Sequence, residues 1–354
     1  MQYKLIKKRF VFRSEKQKFF LSLALFLVFF ALVMLIFESS DTKDLTKIQT
    51  CGDSSLYGAC SAVKPYYCDS GFLVEKATLC GCFESSEIMG DSCATNLQTE
   101  EEKTVLKYLD DGKEKTLNFT VYKGLVDHLS VLPPGISYVE GEKPIRADFI
   151  FKKINEEEQR KLLLPLAIKI KNLADDRDKQ ARIAISLVQN IEYGFSNKTG
   201  GFFGNKVNYS RYPYEVLYEG RGICGEKSEL LAFMLREMGY GVVIFYNQDE
   251  NHESIGIKCP IEESYKGTGY CFVETTGPSI ITDDGIEYAG GVVLNSQPEI
   301  IFISDGESLP EGLQEYKDAE TMNRIRQGKF VPFRNSKLEA LKKRYGLVEE
   351  YNLA

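Results

Sequence analysis

The stretch from Tyr212 to Gly239 decides the fold: it reads YPYEVLYEGRGICG followed by EKSELLAFMLREMG. In the second part, apolar side chains recur at helical spacing, at Leu230, Leu231, Met234, Leu235 and Met238. This periodicity predicts an amphipathic helix over Glu226–Met238 that ends at Gly239. Cys224 then lies at or just before the first turn, where free backbone N–H groups favour a thiolate over a thiol.

Two glycines flank this cysteine. Gly222 and Gly225 would permit a tight turn and the close approach of a substrate backbone. A lone cysteine is more often a small buried apolar residue, and the helix alone does not exclude that alternative for Cys224. The flanking glycines and the residues downstream favour a nucleophile.

Three strand patterns follow the helix. Val242–Tyr246 is a short apolar run, typical of a buried strand, and His252–Cys259 alternates between two faces. A third strand, Tyr270–Thr275, places Glu274 on the same face as two aromatic residues. A buried carboxylate needs a partner, and the imidazole of His252 on the adjacent strand would be a suitable one.

A sulfur nucleophile needs a base to take its proton, and the base needs an acid to orient it. The order Cys224, His252, Glu274 supplies all three. Each has an ordinary alternative: His252 as a loop histidine after a polar run, and Glu274 as a solvated edge residue. The other histidine, His128, follows Asp127 and is interpreted as a structural or surface residue.

These motifs, in this order, resemble the transglutaminase-like superfamily, and most of all its prokaryotic membrane-anchored branch. A Tyr-Pro-x-Glu-x-Leu segment (212–217) precedes the Gly-x-Cys helix (222–224), and an acid-Thr-Thr motif (274–276) closes the core. The resemblance covers roughly residues 155–300. It implies a papain-related α+β core in which the Cys-bearing helix packs on an antiparallel sheet. Cys224 would be the nucleophile, His252 the general base and then acid, and Glu274 the orienting acid.

The chain departs from the superfamily pattern at two positions. Ser254 stands where many members have an aromatic residue, and Glu274 stands where many have aspartate.

The function implied is a thiol enzyme acting on amide bonds of peptides or proteins, as a peptidase, an amidase or an acyl transferase. The alternative is a non-catalytic surface binding or adhesion protein that keeps the fold.

The nine cysteines divide into a group of six, a pair and one left over. The six predict a small module with about three disulfides, and the sequence does not choose among their 15 pairings: Cys51, Cys60, Cys68, Cys80, Cys82 and Cys93. Cys259 and Cys271 flank a loop between two predicted strands and are candidates for a fourth bridge. In an oxidising compartment this parity leaves Cys224 free. Zinc is a weaker alternative for the six, because Cys80 and Cys82 are spaced too closely for a zinc knuckle.

The predicted strands set two requirements in conflict. If His252 and Glu274 were directly opposite each other, Cys271 would face Ile255, four residues from Cys259. A regular hairpin cannot hold both this pair and a directly opposed disulfide. We favour the His–Glu pair, with the loop after Pro260 curling back to restore the bridge.

The N-terminal region predicts a membrane anchor. Phe19–Phe37 contains Ser22 as its only polar residue and would span about 28 Å as a helix. The 18 residues before it hold seven bases against one acid. This bias predicts a cytoplasmic N-terminus and an extracytoplasmic remainder. A cleaved signal peptide is the rival, but the apolar stretch is long for one and ends at a poor cleavage site.

The chain has a net charge of −7 although its N-terminus is basic. The acidic remainder argues against a nucleic-acid partner, and a peptide or protein substrate is the predicted partner. No cofactor and no metal are predicted.

The predicted divisions are a basic tail (1–18), an anchor (19–37), a linker (38–50), a Cys-rich module (51–95), a small β region (100–150), the transglutaminase-like domain (151–304) and a C-terminal helical extension (305–354).

Overall fold

The computed structural model describes residues 49–202, 205–285 and 293–348. The predicted cytoplasmic tail, the predicted anchor and nearly all of the predicted linker lie outside the described residues. Within the described ranges, no helix combines the length and the apolar character needed to cross a membrane.

The Cys-rich segment forms two small hairpins and a short helix. Its elements are β1 (Tyr66–Asp69), β2 (Phe72–Glu75), α1 (Ala77–Cys80), β3 (Glu87–Met89) and β4 (Ser92–Ala94). Three disulfides join Cys51 to Cys68, Cys60 to Cys80 and Cys82 to Cys93, which confirms the predicted number of bridges. Side chains of this segment bury a small cluster against Ile168 of the following helical layer.

The region predicted as a small β region holds one hairpin and two helices. The hairpin consists of β5 (Glu101–Asp110) and β6 (Lys113–Tyr122), joined at Asp111 and Gly112. Both turn residues have positive φ, as a two-residue hairpin turn requires. The helices α2 (Lys123–Val131) and α3 (Arg146–Ile154) were not predicted. In α2 the signal is short: Leu125 and Leu129, one turn apart, are its buried residues.

A layer of helices forms the main core. It consists of α4 (Glu157–Lys171), α5 (Arg177–Gln189), α6 (Pro213–Glu219) and α7 (Cys224–Glu237). Three short strands lie between α5 and α6, namely β7 (Glu192–Tyr193), β8 (Thr199–Phe202) and β9 (Asn205–Asn208). A fourth, β10 (Arg221–Gly222), lies between α6 and α7 and pairs with β7. α4 runs through Pro165 without a break. Apolar side chains on both sides of Pro165 are buried, and this packing stabilises the helix.

A four-stranded antiparallel sheet packs on α7. Its strands are β11 (Val242–Asn247), β12 (His252–Lys258), β13 (Tyr270–Val273) and β14 (Glu299–Ser304), in the order β13-β12-β11-β14. One face of the sheet joins the helical core, and the other carries a smaller aromatic cluster around Phe245 and Phe272. Two C-terminal helices follow, α8 (Gln314–Arg326) and α9 (Arg334–Tyr345). The chain is therefore an α+β protein in which the cysteine helix lies against the sheet.

The register of β12 and β13 corrects the predicted direct His–Glu pair. Ile255 lies opposite Val273, and Ile257 lies opposite Cys271, so the strands are shifted by two residues from the predicted register. The disulfide between Cys259 and Cys271 is formed within this register. The prediction assumed that each pair must be directly opposed, whereas side chains also reach diagonal neighbours across an antiparallel pair.

Candidate active site

Cys224 is the first residue of α7 and is half-buried. The other eight cysteines form four disulfides, so Cys224 is the free cysteine of the chain. The start of the helix is held by Glu226, whose Oε2 accepts from the backbone N–H of Ile223 at 3.0 Å. The buried guanidinium of Arg211 donates to the same oxygen at 2.9 Å. The thiol therefore sits on a rigid helix N-terminus, where the first backbone N–H groups have no partner within the helix.

The two glycines beside Cys224 permit the close approach of other groups, and neither of them forms the expected tight turn. The left-handed residue is Gly220, with φ of 65°, which ends α6. A Cβ at Gly225 would lie 2.5 Å from Oε2 of Glu253, and one at Gly222 would lie 3.1 Å from Cγ of Lys227. Both glycines therefore leave room for neighbouring side chains of this chain, whereas the sequence suggested a tight turn.

His252 and Glu274 form a buried hydrogen-bonded pair. His252 begins β12 and is 8 % exposed, and its Nε2 lies 3.0 Å from Oε2 of Glu274. The other carboxylate oxygen, Oε1, accepts from the backbone N–H and the hydroxyl of Thr276, each at 2.7 Å. Both oxygens of the acid are therefore engaged, and the imidazole is oriented by a carboxylate that is itself held in place.

The environment of His252 favours its protonated form. Burial alone would lower the pKa of His252, but the charge of Glu274 and the side-chain hydrogen bonds with Cys224 and Glu274 raise it to about 10. The structure therefore brings together the three residues that the sequence singled out. His128 lies elsewhere, in α2, with its Nε2 3.7 Å from Oε1 of Glu156.

Two buried hydroxyls join the acid segment to the cysteine helix. Thr275 donates from Oγ1 to the backbone oxygen of Cys224 at 3.4 Å, and its Oγ1 lies 3.0 Å from Oγ of Ser228. Ser228 also donates to the backbone oxygen of Glu253 at 3.2 Å. Neither role is predicted from the sequence. The available signal was a polar residue one turn after Cys224, on a face of the helix that must be buried.

Lys227 anchors the backbone behind the site. Its buried ammonium donates to the backbone oxygens of Ile191 at 2.6 Å, Thr276 at 3.1 Å and Gln189 at 3.4 Å. Burial lowers the pKa of Lys227 to about 8, although the charge of Glu274 opposes this shift. The side chain of Gln189 donates from Nε2 to the backbone oxygen of Glu274 at 2.9 Å. The end of α5 and the start of α7 thus hold the segment that carries the acid.

A cavity of about 410 Å³ borders Cys224. Apolar walls come from Phe149, Ile150, Ile223 and Tyr246, and charged groups come from Arg146, Lys153, Glu229 and Glu253. Within the described residues, no group of three or more His, Cys, Asp or Glu side chains is arranged to hold a metal ion. A thiol with an oriented imidazole, opening on a cavity, is an arrangement that can form and break a thioester.

No protein-family model matches this chain, and no curated protein matches it. Two solved structures are similar to about half of it. Legionella pneumophila LapG in its calcium-bound form is 16 % identical, with a TM-score of 0.26, over 51 % of this chain and 99 % of that chain. A candidate protease from Parabacteroides distasonis ATCC 8503 is 14 % identical, with a TM-score of 0.25, over 50 % of this chain and 40 % of that chain.

Proposed function

We propose that this chain is a membrane-anchored, extracytoplasmic thiol enzyme with a transglutaminase-like core that acts on amide bonds of peptides or proteins. The observation that carries the proposal is the connected set of Cys224, His252 and Glu274. The imidazole lies 3.0 Å from a buried carboxylate, and the free thiol of Cys224 contributes to raising its pKa. A structural cysteine needs no such partner, whereas a nucleophile does.

The mechanism follows from which ring nitrogen faces which group. Nε2 of His252 faces Glu274, and Nδ1 is the nitrogen that takes the proton of Cys224 in this mechanism. The thiolate then attacks the amide carbonyl carbon and forms a tetrahedral intermediate. Its oxyanion lies near the N–H groups at the start of α7 that have no partner within the helix, including that of Cys224. When the C–N bond breaks, the imidazolium gives its proton to the leaving amine and an acyl-thioester remains.

The second half of the reaction sets the outcome. Attack by water on the thioester releases an acid, which is hydrolysis, and attack by an amine forms a new amide, which is acyl transfer. In both cases His252 removes a proton from the attacking group and the thiol of Cys224 is restored. Hydrolysis and transfer therefore share the same three residues.

The location outside the membrane is part of the proposal. It is supported by the apolar stretch Phe19–Phe37, the basic residues before it and four disulfides in the remainder. The test is a protease-protection assay on intact cells or spheroplasts with a tag after residue 354. Degradation of the tag from outside supports this orientation, and protection until lysis contradicts it.

The activated thiol is tested by alkylation of the full-length protein in detergent. At neutral pH, we expect Cys224 to react with iodoacetamide at least about tenfold faster than glutathione. The H252Q variant should lose this advantage, and H128Q is the matched control. If Cys224 reacts no faster than glutathione, the chain has no activated nucleophile, and the alternative of a non-catalytic binding or adhesion protein is favoured.

Turnover is tested with unfolded casein and a fluorescent primary amine. New N-termini indicate hydrolysis, and fluorescent casein indicates acyl transfer. We expect one of these products with the native protein and neither with C224A. Identical behaviour of the two proteins, in this assay and with extracts of cell-envelope proteins, would contradict the proposed activity.

A further inference from the structure

We infer that the cavity beside Cys224 is a subsite for a negatively charged substrate group, such as an aspartate or glutamate side chain, and that Arg146 determines this specificity. The inference rests on the proposed function, because it assigns a substrate class to the same site. It adds a residue from α3, a part of the chain outside the motifs that pointed to the triad.

The position of Arg146 makes it available to a ligand. Its guanidinium carbon lies 3.4 Å from the ring centroid of Tyr246, and Nη1 donates to Oε1 of Glu253. Within the described residues this is the one hydrogen bond of a group that carries five N–H donors. The side chain is 37 % exposed and lines the cavity. Stacking fixes the plane of the guanidinium, and the remaining donors suit a carboxylate, which can bind in bidentate geometry.

The acids of the cavity oppose an anion less than their number suggests. Two cations, Arg146 and Lys153, face two acids, Glu229 and Glu253. Glu229 is buried; Nζ of Lys153 lies 2.5 Å from its Oε1, and its Oε2 has no hydrogen-bond partner within the described ranges. Burial raises the pKa of Glu229, although the charge of Lys153 opposes this shift. Burial therefore weakens the negative charge that this acid contributes to the cavity.

The walls of the cavity fit the rest of such a side chain. Phe149, Ile150 and Ile223 supply apolar surface for methylene groups, while the charged groups lie among them. A lysine or arginine side chain of a substrate would have to approach two cations in a partly buried space, which costs free energy. An uncharged amide could accept from Arg146 but would gain no charge–charge attraction.

The test uses thiol-directed probes that differ only in the side chain beside the reactive group. The probes are the bromoacetyl derivatives of glutamate amide, glutamine amide and lysine amide, and labelling of Cys224 in the full-length protein is followed by mass spectrometry. Rates are divided by those of glutathione with the same probe. We expect the glutamate probe to react about 3- to 10-fold faster than the glutamine probe, and the lysine probe to be slowest.

Variants of Arg146 connect the preference to this residue. In R146Q the ratio of glutamate to glutamine rates should fall to about one. R146K should retain an intermediate ratio, because it keeps the charge but loses the planar guanidinium that can bind a carboxylate through two N–H groups. R324Q removes an arginine from α8 and is the matched control, with the native ratio expected. The rate with iodoacetamide reports whether the thiol site of each variant is intact.

The outcomes separate the subsite from the enzyme itself. Equal rates for the glutamate and glutamine probes, with fast iodoacetamide labelling, overturn the subsite and leave the activated thiol standing. A preference for the lysine probe also overturns it and assigns recognition to the acids of the cavity. A native ratio that persists in R146Q removes Arg146 from the proposal. If no reagent labels Cys224 faster than glutathione, the proposed function and the subsite both fail.

Discussion

Nε2 of His252 lies 3.0 Å from Oε2 of Glu274, although the two residues are not directly opposite each other in the sheet. The register pairs Ile255 with Val273, so Glu274 comes just after the last residue of β13 and reaches His252 diagonally. The disulfide between Cys259 and Cys271 is diagonal in the same register, with a Cα–Cα distance of 5.7 Å. The two-residue shift therefore allows both contacts at once, at the two ends of one strand pair.

The first prediction concerns the count of free thiols. The non-reduced, denatured protein should take up one iodoacetamide per chain, at Cys224, and nine after reduction, because the other eight cysteines are paired. Peptide mapping by mass spectrometry measures both numbers. Label on any cysteine of the Cys-rich segment before reduction would contradict the observed pairing.

The second prediction concerns the titration of His252. In an H128Q background labelled with ¹³C-histidine, the remaining ring should stay protonated through neutral pH, because its pKa is raised from 6.5 to about 10. In E274Q the midpoint should fall by at least about one pH unit, since a carboxylate charge at hydrogen-bond distance is removed while burial remains. NMR titration measures both. A native midpoint at or below 6.5 would show that Glu274 does not stabilise the imidazolium.

The raised pKa of His252 also makes the stability of the protein depend on pH. A base whose folded pKa is raised binds its proton more tightly in the folded state. The contribution of His252 is therefore complete below 6.5 and is lost as the pH rises through about 10. The free energy of unfolding of the native protein minus that of E274Q should shrink over this window, measured by urea unfolding. If the difference in the free energy of unfolding between the native protein and E274Q grows with pH, the prediction is contradicted.

The third prediction concerns the disulfide next to the site. The double variant C259S/C271S should lose about 3 kcal/mol of stability, because the closed loop in the unfolded chain is gone. Labelling of Cys224 by iodoacetamide should also slow, because the bridge joins β12, which begins with His252, to β13, which leads to Glu274. The matched control is C82S/C93S, which opens a bridge of similar span in the Cys-rich segment. Equal labelling rates in the two double variants would show that this bridge does not support the site.

The fourth prediction concerns Lys227. The folded pKa of this lysine is lowered by burial from 10.5 to about 8, so the unfolded state holds more protons between these values and stability rises with pH there. The K227M variant lacks this rise and leaves three backbone oxygens without their donor, at a cost of about 1–3 kcal/mol. The stability difference between native protein and variant should therefore grow from pH 8 upward, measured by urea unfolding. A constant difference would mean that the lysine is not perturbed.

Local patterns predicted most of the elements that carry the site. The helix predicted over Glu226–Met238 is observed over Cys224–Glu237, and the strand predicted over Val242–Tyr246 extends to Asn247. Spacing of apolar residues is a local property, so it can be read without knowing the fold. The short helix Lys123–Val131 could not be predicted in this way, because its buried face consists of two leucines, too few to establish a period.

The sequence by itself determined which residues could do chemistry: the odd cysteine, a histidine and an acid after it, in that order along the chain. Only the tertiary structure decided the strand register, the three pairings among the six clustered cysteines, and the stacking of Arg146 on Tyr246. Residues 100 positions apart in sequence meet only after the chain has closed the loop between them. Such contacts depend on the packing of whole elements, which no local pattern encodes.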